Sequence, residues 1–542
     1  MAMRIELALV ASMVAAPALA QQAPPPKLIV ALSVDQLSSD LFERYRPVLF
    51  GGIGRLSKGT TFRNGYQGHN ATETCPGHST IMTGSRPSRT GIIANNWFDL
   101  SQARSDKSVY CAEDERVAGS SSSSYTVSPY HLRVPTLGDL WKQRQPGARN
   151  VAVAGKDRSA VMMGGRNVDQ RWYWDGKTFS TDIKNAVVPR SVTATRSIVA
   201  NAIAQDRPAL QLPTLCQGKA RSVSLPGTAA VGAGAFARKA GDVRAFRNSP
   251  EFDGATLALA ASLVDEMQLG REQSTDILSV SLAGTDIVGH AYGNDGAEMC
   301  LQMFSLDRDL GDFFKLLDSR GIDYLVMLTA DHGGADIPER SRDAGHPAAS
   351  RVDVALEADE MGKALGAKLG LRGPVLVGEG AFGDIYVDRA LSASEHARVL
   401  TAAVSAYKAH PQVEAVFTRE QVRRTPSPTA APDRWSLIER VRASFDEERS
   451  GDFIVLLKRD VTPIPKPSAG SYVATHGSPW DYDRRVPILF WRRGMAASDR
   501  ADAIETADIM PTLAATIGLP VDAGKIDGEC LSGIVGVTCP SR

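Results

Sequence analysis

The sequence predicts an α/β fold built on a mainly parallel sheet flanked by helices. Short apolar runs of strand length recur without polar alternation, as in strands buried on both faces, and amphipathic stretches of helical length separate them. The three clearest runs each lead into an aspartate, which marks one edge of the sheet as chemically loaded.

The first run is Leu28–Val34 (L-I-V-A-L-S-V), ahead of Asp35. A second begins at 150–153 (N-V-A-V), a third spans 277–282 and a fourth is Tyr324–Thr329. Residues 486–491 (V-P-I-L-F-W) read as a later strand. Pro487 lacks an N–H and confines it to an edge or to the strand start. Residues 256–267 and 303–317 have helical length and pattern. Residues 120–124 form a serine-rich exposed loop, and 211–241, rich in Gly, Ala and Pro, read as irregular. The stretch 348–467 mixes helix-like and strand-like pieces between two chemically loaded segments, so it is expected to be an inserted cap. The core is then 21–347 and 468–542.

Residues 1–20 have the plan of a signal peptide. Arg4 precedes an apolar run, and Ala18-Leu19-Ala20 is a small-residue cleavage site. The run is short for a bilayer span, so export to a bacterial periplasm or beyond is expected, with no membrane attachment after cleavage. Six cysteines in an exported chain allow up to three disulfides. Cys530 with Cys539 is the expected pair, and the other connectivities stay open. No C-x-x-C occurs, which argues against a thiolate zinc site. Lys plus Arg and Asp plus Glu both number 61, so the formal charge is zero. No global field draws the chain to nucleic acid, and any affinity for anions must be local.

Asp35, Asp286 and Asp331 follow the apolar runs, and carboxylates converging at strand ends repel one another unless a cation lies among them. His290 follows Asp286 in D-I-V-G-H, His332 follows Asp331 in T-A-D-H-G-G, and His476 stands in A-T-H-G-S. Three Asp and three His suffice for two zinc sites with N and O ligands. A nucleophile stands in T-E-T-C-P-G-H-S-T-I-M-T-G: Pro76 suits the first turn of a helix, with Thr74 at or near its N-cap. A hydroxyl there faces free N–H groups, a ready phosphate site, and metal coordination would make it a nucleophile at neutral pH.

These pieces, with V-D-Q at 34–36, G-I-I-A-N-N at 91–96 and G-K-D-R at 155–158, resemble the alkaline phosphatase superfamily in its type I phosphodiesterase/nucleotide pyrophosphatase branch. Within it they resemble the exported bacterial alkaline phosphatases. The resemblance implies an alkaline-phosphatase-like core and two Zn²⁺ per chain. One ion would be held by Asp35, Thr74, Asp331 and His332, the other by Asp286, His290 and His476. Thr74 would attack phosphorus and form a phosphothreonine that water then hydrolyses. Asn95, with Asn96 as the alternative, would hydrogen-bond one phosphoryl oxygen, and Lys156 and Arg158 would supply cations to the others, including the extra oxygen that separates a monoester from a diester, Arg158 with its bidentate fork. The expected enzyme is a phosphomonoesterase of broad range acting on small phosphate esters, as a monomer. The alternative is a phosphodiesterase or nucleotide pyrophosphatase on the same fold and metals, and a zinc-binding protein without catalysis is the third reading.

Several residues are set aside. His78 is not a ligand position in the family, and Cys75-Pro76-Gly77 does not match the sulfatase pattern C-x-P-x-R. His346, in A-G-H-P, either supports the second metal motif from behind or is merely a loop residue, and it is left out of the site. Asp307, Asp309 and Asp312 are expected on a solvated helix face rather than in a calcium site.

Overall fold

The computed structural model describes residues 24–232, 234–536 and Cys539; the expected signal peptide lies outside them. Nine strands form the central sheet: β1 Leu28–Val34, β2 Thr60–Tyr66, β3 Asn150–Ala154, β4 Gln170–Trp174, β5 Phe179–Ser180, β6 Asp276–Leu282, β7 Tyr324–Thr329, β8 Arg485–Arg492 and β9 Ser498–Glu505. Their order is β9-β2-β8-β7-β1-β6-β3-β4-β5. Only β8 and the short edge strand β5 run against the rest.

The unbroken apolar character of β1 follows from two-sided burial. Leu28, Val30, Leu32 and Val34 enter one hydrophobic core, while Ile29 and Ala31 enter the other. Five helices matter to the site: α1 Thr74–Thr83, α2 Asp157–Gly164, α3 Glu251–Glu266, α4 Gly284–Tyr292 and α5 Ala297–Ser319. Side chains of α3 and α5 fill the first core, and Ile81 and Met82 of α1 contribute to the second.

Pro487 is the third residue of its strand, near the strand start as expected, and the strand itself is interior. β8 lies between β2 and β7, and its register with β2 shifts between Val486 and Ile488. The bulge absorbs the missing donor where a regular ladder would not. Asp307 also departs from expectation. It is buried and accepts from the backbone N–H groups of Gly51, Ile53 and Gly54 at 2.6, 2.7 and 3.2 Å, so it caps the start of the helix Gly52–Leu56.

Between β7 and β8 the chain builds a second, antiparallel sheet. Its order is Leu376–Val377, Gly383–Val387, Phe453–Leu457, Val413–Thr418. The helices Ala358–Leu369 and Ala393–Ala409 pack on it around Val399, Tyr407, Phe453 and Val455. Ser350–Arg351 pairs in parallel with Val461–Thr462 where this excursion leaves and rejoins the core. Three disulfides join Cys75–Cys111, Cys216–Cys300 and Cys530–Cys539. Among the described residues no helix is long and apolar enough to cross a membrane.

Candidate active site

The site lies at the carboxyl ends of the parallel strands. Backbone bonds extend the ladder past the strand ends: Asp35 N–H donates to Leu282 O at 2.9 Å, and Gly155 N–H to Ser281 O at 3.1 Å. Asp35 and the loop leading to Lys156 are thereby set against the end of β6. Gln36 takes the left-handed conformation (φ 68°), and its N–H donates to Asp331 Oδ1 at 3.2 Å. Helix α1 sits directly on the Asp331 backbone. A side chain at Gly77 would place its Cβ 2.1 Å from Asp331 O, so the glycine permits the approach.

The structure gathers two groups of side chains able to hold a metal. Asp35, Asp331 and His332 form one, and Asp286, His290 and His476 the other. His332 Nε2 lies 3.4 Å from Asp35 Oδ1 and 3.3 Å from Asp331 Oδ2. Asp286 Oδ1 lies 3.2 Å from His290 Nε2 and 3.3 Å from His476 Nε2. The groups abut, since the His332 and His476 rings stack 3.6 Å apart. Each ring is oriented by a backbone carbonyl on Nδ1: His290 by Ala474 O, His332 by Gly333 O and His476 by Thr72 O, at 2.8–2.9 Å. That arrangement turns every Nε2 inward, as metal-binding histidines require.

Three buried atoms test whether this donor set fits a cation. Asp35 Oδ1, Asp286 Oδ1 and His332 Nε2 make no hydrogen bond. Buried polar atoms left without partners are costly, and here they converge with ligand chemistry, so the residues fit divalent ions with N and O preferences. Electrostatics agree. Burial, then the Asp286 and Asp331 charges, push the Asp35 carboxyl well above its ordinary value. Burial lowers His332 to about 3, leaving a neutral imidazole, the ligand form. Burial would raise Asp286, but His290 and Lys156 outweigh it and hold that carboxyl well below the usual range.

Thr74 is buried at the start of α1. Its Oγ1 lies 3.3 Å from Lys156 Nζ and 3.4 Å from Arg158 Nη2. Lys156 bridges both groups, 2.6 Å from Asp35 Oδ2 and 2.6 Å from Asp286 Oδ2. Asn95 is fixed from three sides. Its Oδ1 accepts from Cys75 N–H at 2.9 Å, its N–H donates to Glu73 Oε2 at 2.6 Å, and its carbonyl accepts from Cys111 N–H at 2.9 Å. Among the described residues the Asn95 Nδ2 group has no partner, so it is free to donate. All of Asp35, Thr74, Asn95, Lys156, Arg158, Asp286, His290, Asp331, His332 and His476 therefore converge in one place.

Sequence reasoning missed the supports. His78 Nδ1 lies 3.1 Å from Asp331 Oδ2 and 2.8 Å from Thr74 O, and its Nε2 lies 3.0 Å from Ser281 Oγ. It steadies Asp331, a member of the first group. Asp157 accepts from the hydroxyls of Tyr110 and Tyr125, both at 2.8 Å, and Arg158 Nη1 lies 3.5 Å from the Tyr110 hydroxyl. Burial would lower Arg158, but Tyr110 and Asp157 raise it above its ordinary value. The Cys75–Cys111 disulfide couples this tyrosine cluster to the helix of Thr74. The adjacency of Cys75 to Thr74, and the aspartate inside G-K-D-R, were the available signals. His346 lies exposed in a loop, which decides between the two readings left open for it.

Strand-end aspartates, paired N/O ligand groups and a threonine on a helix N-terminus define a metal-dependent phosphoester hydrolase class. The chain belongs to the type I phosphodiesterase / nucleotide pyrophosphatase family, whose profile matches residues 29–479. Alkaline phosphatase PhoK of a Sphingomonas species is 52% identical over 516 residues, 95% of this chain and 92% of that protein. Alkaline phosphatase PhoD of Zymomonas mobilis is 45% identical over 522 residues, covering 95% and 90%. The crystal structure of wild-type alkaline phosphatase PafA superposes with a TM-score of 0.81 at 26% identity, covering 95% of this chain and 99% of that one. Within its family the chain stands beside these alkaline phosphatases.

Proposed function

We propose that this chain is an exported alkaline phosphatase that hydrolyses small phosphate monoesters of broad range through a phosphothreonine intermediate. The observation that carries the reading is one cluster of side chains joining two metal-ligand groups, Thr74 and two cations, Lys156 and Arg158. Zinc suits both donor sets: one ion would be held by Asp35, Thr74, Asp331 and His332, the other by Asp286, His290 and His476, and they would supply Lewis acidity and charge neutralisation.

The chain's own groups do the rest. Helix α1 holds the Thr74 hydroxyl at its positive end, facing the phosphoryl group. Thr74 Oγ1 forms the bond to phosphorus while the bond to the leaving alcohol oxygen breaks, and the alcohol departs with a proton. Water then attacks the phosphothreonine and releases inorganic phosphate, restoring Thr74. Asn95 Nδ2, Lys156 and Arg158 donate to the non-bridging oxygens. Lys156 and Arg158 provide the extra positive charge that a monoester dianion demands. Residues 348–467 act as a cap over a core of 21–347 and 468–542. The three disulfides accord with an oxidising compartment, and the enzyme works there, periplasmic or secreted, as a monomer.

The test compares p-nitrophenyl phosphate with bis-p-nitrophenyl phosphate, with and without a chelator. The monoester should turn over faster, chelation should stop it, and Thr74→Ala should abolish it. A faster diester rate overturns the monoesterase reading, and near-normal turnover by Thr74→Ala overturns the nucleophile.

A further inference from the structure

Arg247 ends the short helix Val243–Arg247. It is solvent-accessible, and among the described residues it has no hydrogen bond, ion pair or ring partner. Its neighbours in the chain pin it to a particular place. Phe246 is buried and packs on Phe252 and Trp174, with ring centroids 6.2 and 5.9 Å away. Phe252 in turn abuts Gly155, the residue before Lys156, where an added Cβ would lie 2.9 Å from its ring. On the other side Asn248 Nδ2 donates to Gly470 O at 3.1 Å. Two residues beyond Gly470, the half-exposed ring of Tyr472 packs edge-on to His290, with centroids 4.6 Å apart. Arg247 therefore stands at the seam between the Lys156–Arg158 loop and the loop bearing Tyr472. The charges bearing on it bear this out. After burial, the largest influence lowering its pKa is Arg158, and Tyr472, Asp286 and Asp35 act in the opposite sense.

An arginine with no partner among the described residues, on a helix end set between the Lys156–Arg158 loop and the loop of Tyr472, is arranged for an anion outside the protein. Lys156, Arg158 and Asn95 already surround the transferred phosphoryl group in the proposed function, on which this inference rests. In-line displacement puts the leaving oxygen opposite Thr74, toward the group of Asp286, His290 and His476. Tyr472 touches His290 on that side. We propose that Arg247 is a substrate-binding residue that grips a second anionic group, a carboxylate or a further phosphate, on the leaving-group portion of the ester. Tyr472 offers the adjoining carbon skeleton an aromatic face. The enzyme would thus favour phosphomonoesters of acidic metabolites over those of neutral alcohols.

Two matched pairs test this: 3-phosphoglycerate against glycerol 3-phosphate, and fructose 1,6-bisphosphate against fructose 6-phosphate. The first pair probes a carboxylate and the second a phosphate. The readout is the ratio of kcat/KM within each pair, with KM and kcat resolved. The wild type should favour the doubly anionic member of at least one pair. Arg247→Ala should reduce that ratio about tenfold, chiefly through KM, as expected for one solvent-accessible charge-assisted contact. Arg247→Lys should keep part of the preference, and Arg247→Glu should invert it. Unchanged ratios in the Ala and Glu variants overturn the inference while p-nitrophenyl phosphate turnover by the wild type leaves the phosphatase reading standing. A wild type inert toward p-nitrophenyl phosphate overturns both.

Discussion

Replacing Asn95 by Ala and by Asp separates its two ends. The Oδ1 atom is committed to Cys75 N–H at 2.9 Å, and the backbone is held by Glu73 Oε2 and by Cys111 N–H. The donor end alone is left for the phosphoryl oxygen. Asn95→Ala deletes one hydrogen bond to a charged group, worth about 1.5–3 kcal/mol, so kcat/KM should fall about 10- to 150-fold. It also frees the Cys75 N–H, at a stability cost of about 1 kcal/mol, as for a lost helix cap. Asn95→Asp retains the acceptor and so spares the fold. It aims a negative oxygen at a dianion, and two unit charges ~4 Å apart at an effective dielectric near 20 repel by about 4 kcal/mol. Activity should therefore rank wild type, Ala, Asp, while thermal stability ranks the Asp variant above Ala. The assay is initial rates on p-nitrophenyl phosphate with metal saturating, paired with thermal melts. An Asp variant as active as the Ala variant, or an Ala variant within about threefold of wild type, would refute the assigned donor role.

Three further outcomes are expected. His78→Ala leaves Asp331 without its 3.1 Å neighbour, so competition with a chelator should show metal affinity about 10- to 100-fold weaker; unchanged retention sinks that support role. Replacing Cys75 and Cys111 together by Ser opens a loop of 36-residue separation, which the chain-entropy account values at about 3–4 kcal/mol, and denaturant unfolding should show it; a loss below ~1 kcal/mol contradicts it. Asp253 accepts from Gly284 N–H and Gln302 Nε2, both at 2.8 Å, and burial pushes it from 3.8 up to about 7. The native state therefore binds the extra proton, so this contribution is complete below pH 3.8 and is lost as the pH rises to about 7. Asp253→Asn should flatten the fall of stability across that window, and an identical slope in denaturant melts from pH 4 to 7 counts against it.

The legible parts of this protein share one property: their signals are local. β1 and β7 read correctly because two-sided burial leaves an unbroken apolar run. Asp286 and His290 fall on one helix face four residues apart, and Asp331 and His332 are adjacent, so short motifs contained most of each ligand group. Cys530 and Cys539 were an easy pair because only nine residues separate them. The illegible parts depend on distant segments meeting. Cys216–Cys300 spans 84 residues, and nothing in either flank names the other. Asp307 looked like a solvated residue on α5 until the helix Gly52–Leu56 brought its free N–H groups to it. Pro487 left open an edge strand or a position near a strand start, and only the pairing with β2 shows the latter together with a bulge, which cannot be read from one strand without its partner.

By itself, the sequence determined the fold class, the strand-end aspartates, the histidines and the threonine nucleophile candidate, since periodicity and motif chemistry reside in neighbouring residues. Only the tertiary structure decided that His78 braces Asp331, that Tyr110, Tyr125 and Asp157 orient Arg158, and that the helix end bearing Arg247 packs between the Lys156–Arg158 loop and the loop of Tyr472. Those relations arise from packing between segments tens to hundreds of residues apart, where an angstrom of placement separates a hydrogen bond from none.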